Sequence, residues 1–272
     1  MTPDAGPDSV RTDPAIIVRG LRKSYGTREV LRGIDLEVAR GQVLGYIGPN
    51  GAGKTTTVKI LIGVLDGFEG QAIVCGHDVA RQPLEVKRRI GYVPESAALY
   101  EGLTPREYLR FIGRIHGLAD CEIDRRGARM LAQLGLSDEL DDRIATFSKG
   151  MRQKVLLVAG MMHNPEVLFL DEPLSGLDAN AVVVVKEIIA RLARRGKTIF
   201  YCSHVMDVVE RVCDRIAIID DGRIIADGSF EELQAAGRGE SLERIFTQLT
   251  SAGGHEQAAE AFIRAFDVEM RA

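Results

Sequence analysis

The eight residues Gly48-Pro49-Asn50-Gly51-Ala52-Gly53-Lys54-Thr55 follow the spacing G-x-x-x-x-G-K-[ST], with a β-type run at Gln42–Ile47 before them and a helical pattern over Lys54–Leu65 after them. Such a run requires a strand, a tight loop and a helix in immediate succession, and so commits the chain to an α/β architecture. The residue types follow from the chemistry. Glycines let successive backbone N–H groups face an anion at close range. The helix that starts near Lys54 adds the positive end of its dipole. Lys54 can reach the outer phosphates of a nucleotide, and the Thr55 hydroxyl is placed to ligate Mg2+.

Phosphate binding alone does no chemistry; a metal ligand and a water-activating group are also needed. Val167-Leu168-Phe169-Leu170-Asp171-Glu172 supplies both, as an apolar strand that delivers two acids at its C-terminal end. Asp171 is the candidate metal ligand, and Glu172 the candidate base that polarises the attacking water. Further strands are expected at Ile16–Arg19, Val30–Val38, Ala72–Cys75 and Thr198–Cys202, with a hairpin at Arg215–Ile219 and Arg223–Ala226 around Asp221-Gly222. Between them the pattern turns helical from Thr104 to about Leu140, opening on Thr104-Pro105-Arg106-Glu107 with the spacing of a capping box. Another helical run starts at Ser148 and continues to about His163. Helical periods return after Ser229, at Leu242–Leu249 and Ala258–Phe266.

Composition narrows the partners. A formal net charge of -4 over 272 residues gives no support to a nucleic-acid binder, and 27% charged with 45% hydrophobic residues excludes a disordered chain. The four cysteines, Cys75, Cys121, Cys202 and Cys213, show no metal-type or disulfide spacing, so reduced thiols inside the cell are expected. Residues 1–13 are polar and rich in Pro and Asp, which predicts a mobile tail and no signal peptide. No run approaches the roughly 18 apolar residues of a membrane span.

With these motifs in place, the segment from Ala15 to Ser229 resembles the nucleotide-binding subunit of an ABC transporter. Ser175-Gly176-Leu177-Asp178 resembles the D-loop and Ser203-His204 the switch histidine; Tyr25 stands where an aromatic stacks on adenine. Phe147-Ser148-Lys149-Gly150-Met151 stands in the place of the LSGGQ signature, and Glu95, in Gly91-Tyr92-Val93-Pro94-Glu95, in that of the Q-loop glutamine. The resemblance implies a RecA-like P-loop NTPase core (residues 14–229) with an antiparallel β subdomain and a helical insertion at about 96–147, followed by a helical C-terminal extension at 230–272. It implies binding of ATP and Mg2+ by Gly48, Asn50, Gly51, Ala52, Gly53, Lys54, Thr55 and Thr56. Asp171, Thr55 and Glu95 would face the metal, and His204 the γ-phosphate. Two such subunits, as a homodimer or paired with a related ATPase subunit, would close head-to-tail over two nucleotides, Ser148 and Gly150 of each completing the site of the other.

Two departures stand out: Lys149 replaces the first glycine and Met151 the glutamine of the signature, and Glu95 cannot donate a hydrogen bond when ionised. Both resemble the branch that serves separate ABC-2-type permeases, commonly exporters. A cytoplasmic protein held at the membrane by its permease is the implied location, with Leu99, Tyr100 and Leu103 near the permease contact. A soluble ABC ATPase acting on ribosomes or DNA would share the ATP site, but the single nucleotide site and the absence of a basic excess weigh against it. A GTPase would need an N-K-x-D motif, which is absent. His77, His116, His163 and His255 are expected to be structural or surface residues.

Overall fold

In the computed structural model, which describes residues 13–95, 99–237 and 240–250, two sheets share one hydrophobic layer. The stretch 1–12, Ser96 at the start of the insertion, the helical period at Ala258–Phe266 and His255 lie outside the described residues. The chain begins with β1 (Ile16–Tyr25), β2 (Arg28–Val38) and β3 (Val43–Ile47), then α1 (Lys54–Leu61), β4 (Glu69–Val74) and β5 (His77–Asp78). Next come α2 (Pro83–Arg89), β6 (Ile90–Val93), α3 (Pro105–Ile115), α4 (Asp120–Gln133), α5 (Lys149–Met161) and β7 (Val167–Asp171). The remainder is α6 (Ala179–Arg194), β8 (Thr198–Cys202), α7 (Met206–Val212), β9 (Arg215–Asp220), β10 (Arg223–Gly228), α8 (Phe230–Ala236) and α9 (Leu242–Leu249).

One sheet is antiparallel, in the order β2-β1-β4-β5; the other runs β10-β9-β3-β8-β7-β6, parallel except for the β9–β10 hairpin. The parallel strands read as unbroken apolar runs because both faces are covered, and their side chains divide by period two. Leu44 and Tyr46 of β3, Val167 and Phe169 of β7, and Phe200 and Cys202 of β8 face the antiparallel sheet and α1. Val43, Ile47, Leu168, Leu170, Ile199 and Tyr201 face the opposite layer, where Leu109, Ile123 and Leu131 of α3 and α4 join the core. The fold is α/β with a parallel-sheet core, an antiparallel sheet and helices between β6 and β7, as expected.

Local signals acted as the sequence predicts at several points. Thr104 and Glu107 form a reciprocal capping box at the start of α3, with N–H···O distances of 3.2 and 2.9 Å. The hairpin of β9 and β10 turns at Asp221-Gly222. The helix expected over Lys54–Leu65 stops at Leu61, because Gly63 takes a φ of +68° and turns the chain out of the helix. The sequence reading omitted α2 and β6. α2 buries only Val86 and so shows no apolar period, and β6 is four residues long with Gly91 inside it. A Cβ at Gly91 would collide with the Gly160 carbonyl oxygen, so this glycine lets α5 lie directly on the strand.

Candidate active site

Four neighbouring strands of the parallel sheet, in the order β3-β8-β7-β6, each end in a residue singled out by the sequence. Gly48 follows β3, Ser203-His204 follows β8, Asp171-Glu172 close β7, and Glu95 lies just beyond β6. Parallel strands point their C-terminal ends the same way, which gathers residues far apart in sequence at one edge. There they line an open cavity of about 640 Å3, whose wall includes Gly48, Asn50, Gly51, Gly53, Lys54, Thr55, Thr56, Glu95, Asp171, Glu172 and His204.

The loop from Gly48 to Gly53 is held by close packing. A Cβ at Gly48 would strike the Ile219 carbonyl oxygen, and Gly53, at a φ of +113°, leaves no room for one beside Leu31 Cδ2 (2.6 Å). Lys54 Nζ donates to the carbonyls of Gly48 (2.6 Å) and Pro49 (3.1 Å), which holds its charge across the loop. Below, the buried Thr57 hydroxyl donates to the Gly53 carbonyl at 3.1 Å and lies 3.2 Å from the Tyr46 hydroxyl. The N-terminus of α1 has no side-chain cap and no acid in its first turn. Its N–H groups are left for an anion in the cavity.

The acids differ in setting. Asp171 is 7% exposed; burial, then the facing carboxylates of Glu95 and Glu172, push its carboxyl up to about 6, against the pull of Lys54 and Lys59. A buried oxygen donor so crowded by like charge fits a hard divalent cation, and Thr55 and Glu95 share its cavity. Glu172 adopts a φ of +48°, unusual for a non-glycine residue, and its N–H donates to the Cys202 carbonyl at 2.9 Å. Its Oε2 accepts from Ser203 Oγ (3.0 Å), and Oε1 accepts from the backbone N–H of His204 (2.8 Å) and lies 2.7 Å from His204 Nδ1. An ionised carboxylate only accepts, so Nδ1 carries the hydrogen and Nε2 is left for another partner.

Other candidates stand apart from this wall. Ala52 is buried within the loop. Tyr25, 49% exposed at the end of β1, carries Lys23 Nζ at 5.5 Å from its ring centroid; its register partner Arg28 does line the cavity. Ser148 caps α5 by accepting from the Met151 N–H at 3.3 Å, and Gly150 packs against Gly176, both away from this chain's own cavity. Leu99, expected near a partner contact, is instead buried in the core, whereas Tyr100 is 60% exposed against the edge of Phe111. His163 is structural: its Nε2 lies 2.9 Å from the Ile90 carbonyl, and its ring stacks on His116 with centroids 3.7 Å apart.

Four wall residues were not anticipated: Arg28, Val30, Met206 and Phe246. Arg28 and Val30 stand near Tyr25 in sequence, but nothing in their pattern marks a ligand contact. Met206 and Phe246 arrive from α7 and α9 and have no local signal at all.

Comparison with known proteins bears on the family and the fold. The family model described as ABC transporter matches residues 31–175. The linearmycin resistance ATP-binding protein LnrL of Bacillus subtilis is 37% identical over 236 residues, covering 87% of this chain and 75% of that protein. The daunorubicin/doxorubicin resistance ATP-binding protein DrrA of Streptomyces peucetius is 39% identical over 222 residues, covering 82% and 67%. A solved structure of an ATP-binding subunit of an ABC transporter superposes with a TM-score of 0.82 at 34% identity, covering 87% of this chain and 99% of that one.

Proposed function

Since the chain belongs to the ATP-binding subunits of ABC transporters and is an ATPase of that family, we propose that it drives export through a separate ABC-2-type membrane permease. The observation that supports the ATP-driven part of this reading is the cavity in which the phosphate loop, Asp171, Glu172 and His204 meet at the ends of four adjacent strands.

In this reading, the loop N–H groups, the α1 terminus and Lys54 hold the ATP phosphates, Lys54 exchanging its loop carbonyls for phosphate oxygens. Thr55, Asp171 and Glu95 face Mg2+, which would supply charge neutralisation to the phosphates. Glu172, fixed by Ser203 and His204, accepts a proton from the attacking water. His204 Nε2 meets the γ-phosphate, and can donate to it only when the ring is protonated, since Nδ1 already serves Glu172. Tyr25 stacks on the adenine after releasing Lys23.

Two chains close head-to-tail, so that Ser148 and Gly150 at the N-terminus of α5 approach the γ-phosphate held by the partner subunit. ATP shifts the population toward the closed pair and hydrolysis releases it.

Coupling runs through the helices between β6 and β7. Where they meet the core, an apolar cleft of about 590 Å3 is lined by Val64, Leu84, Tyr92, Ile112, Ile115 and the His116–His163 stack. Val64, Leu84 and Ile115 expose about two-thirds of their surface (65, 67 and 66%), which suits a permease cytoplasmic segment. Among the described residues no helix is long and apolar enough to cross a membrane, which fits attachment through that permease. Export is favoured because two relatives are named for drug resistance, and a transporter subunit confers resistance by moving the drug outward.

The test is ATP-dependent closure. Purified Glu172→Gln should become dimeric in light scattering when ATP and Mg2+ are added, and Lys54→Ala should remain monomeric. A Glu172→Gln protein that stays monomeric with bound ATP would overturn the head-to-tail reading.

A further inference from the structure

The first turns of α5 lie along the loop that leads away from Glu172, and three side chains bind the two together. Lys149 Nζ donates to Ser175 Oγ at 2.7 Å, and its aliphatic stem lies on Gly176, where a Cβ would come within 3.0 Å of Lys149 Cγ. Gln153, one turn further on, is buried and its Nε2 donates to the Pro173 carbonyl at 3.2 Å. Lys154 Nζ pairs with Asp178 Oδ2 at 3.2 Å, and Asp178 caps α6 by accepting from the Ala181 N–H at 2.8 Å. Residues 149 and 153 are four apart and share one face of the helix, which follows the loop from Pro173 to Ser175.

Lys149 occupies a position that in the family signature is glycine. A glycine there would supply neither the stem on Gly176 nor the donor to Ser175. The ammonium is also directed at the chain's own loop, where it meets the Ser175 hydroxyl.

We propose that Lys149 is a positioning residue that fixes the Pro173–Asp178 loop to the N-terminus of α5, so that Glu172 and Ser148 move as one unit. The inference rests on the reading in which Ser148 serves the site of the partner subunit. There, Glu172 acts in one site and Ser148 in the other, and Lys149 makes the state of one loop felt at both. Because Lys149 touches no reacting atom, its loss slows turnover while leaving ATP affinity nearly unchanged.

The experiment is a double-mutant cycle on steady-state ATP hydrolysis, using Lys149→Met, Ser175→Ala and the double variant, with nucleotide affinity measured separately. Lys149→Met keeps the stem and deletes the donor; melting temperatures verify folding. Each single change should lower kcat about fivefold with less than a twofold change in ATP affinity, the double should fall no further, and Lys149→Arg should restore turnover. The proposal is overturned if Ser175→Ala is silent, if the two effects multiply to about twenty-fivefold, or if Lys149→Met acts on ATP affinity instead of kcat. That last result would make Lys149 a nucleotide ligand. Light scattering of Glu172→Gln with ATP and Mg2+ tests the underlying reading separately: a failure there leaves the cycle informative about the loop, and a failed cycle leaves the closed dimer standing.

Discussion

Glu172 and His204 are joined twice: the same carboxylate oxygen accepts the His204 backbone N–H at 2.8 Å and lies 2.7 Å from its Nδ1. With Ser203 on the other oxygen, the carboxylate is held before any substrate arrives. In the role of base proposed for it, a carboxylate fixed in this way would be pre-organised for one water position.

Removing the charge while keeping the shape should therefore separate binding from chemistry. Glu172→Gln is expected to bind ATP with near-normal affinity and to lose turnover by about a hundredfold or more, the usual range for a positioned base. Hydrolysis at the unaltered rate in that variant would remove Glu172 from the mechanism.

Asp171 predicts a pH effect whose sign is fixed by its environment. Its folded pKa of about 6 exceeds the ordinary value near 4, so between those values the native state holds a proton that the unfolded chain has lost. Stability contributed by this group thus falls as pH rises from about 4 to 6, and the penalty is constant above that. Asp171→Asn should match the native protein near pH 4 and be more stable at pH 7.5 by about 1–2 kcal/mol. It should also lose the added thermal stability given by ATP with Mg2+. Calorimetry across this range checks both statements; a variant less stable at pH 7.5 without ligand would refute the first.

Glu95 and Glu172 are the charges behind part of that shift. Glu95→Gln should bring down the pH at which the Asp171 penalty levels off and make that penalty smaller, while ATP binding persists. Its effect on hydrolysis should be greater with the permease present than without it, which assays in detergent and in proteoliposomes would distinguish.

The apolar cleft yields a prediction independent of catalysis. Leu84 is 67% exposed, so Leu84→Glu should cost little stability and leave basal ATP hydrolysis within about twofold. The same change should weaken co-purification with the permease, because a charge would be buried in the contact.

Much of the site was legible because phosphate chemistry demands a local, ordered run of residues. Lys54 and Thr55 could be named from that run, and Asp171 and Glu172 from a strand ending in acids. His204 and Glu95 needed the family pattern as well. The rest depends on tertiary approach. Phe246 reaches the cavity from α9, nearly two hundred residues after the phosphate loop, and nothing around it signals a ligand. Leu99 reads as an exposed apolar residue in a loop, yet it is buried, since a single side chain carries no periodicity. Lys149 shows in the sequence only as a lysine in the place of the first signature glycine; the position of Ser175 shows where its charge is directed.

The most direct test of the central claim is affinity purification of tagged Glu172→Gln from detergent-solubilised native membranes in the presence of ATP and Mg2+. The account predicts recovery of one polytopic membrane protein in stoichiometric amount, lost when Leu84→Glu is added. Recovery of ribosomal proteins or nucleic acid, with no membrane protein, would contradict it.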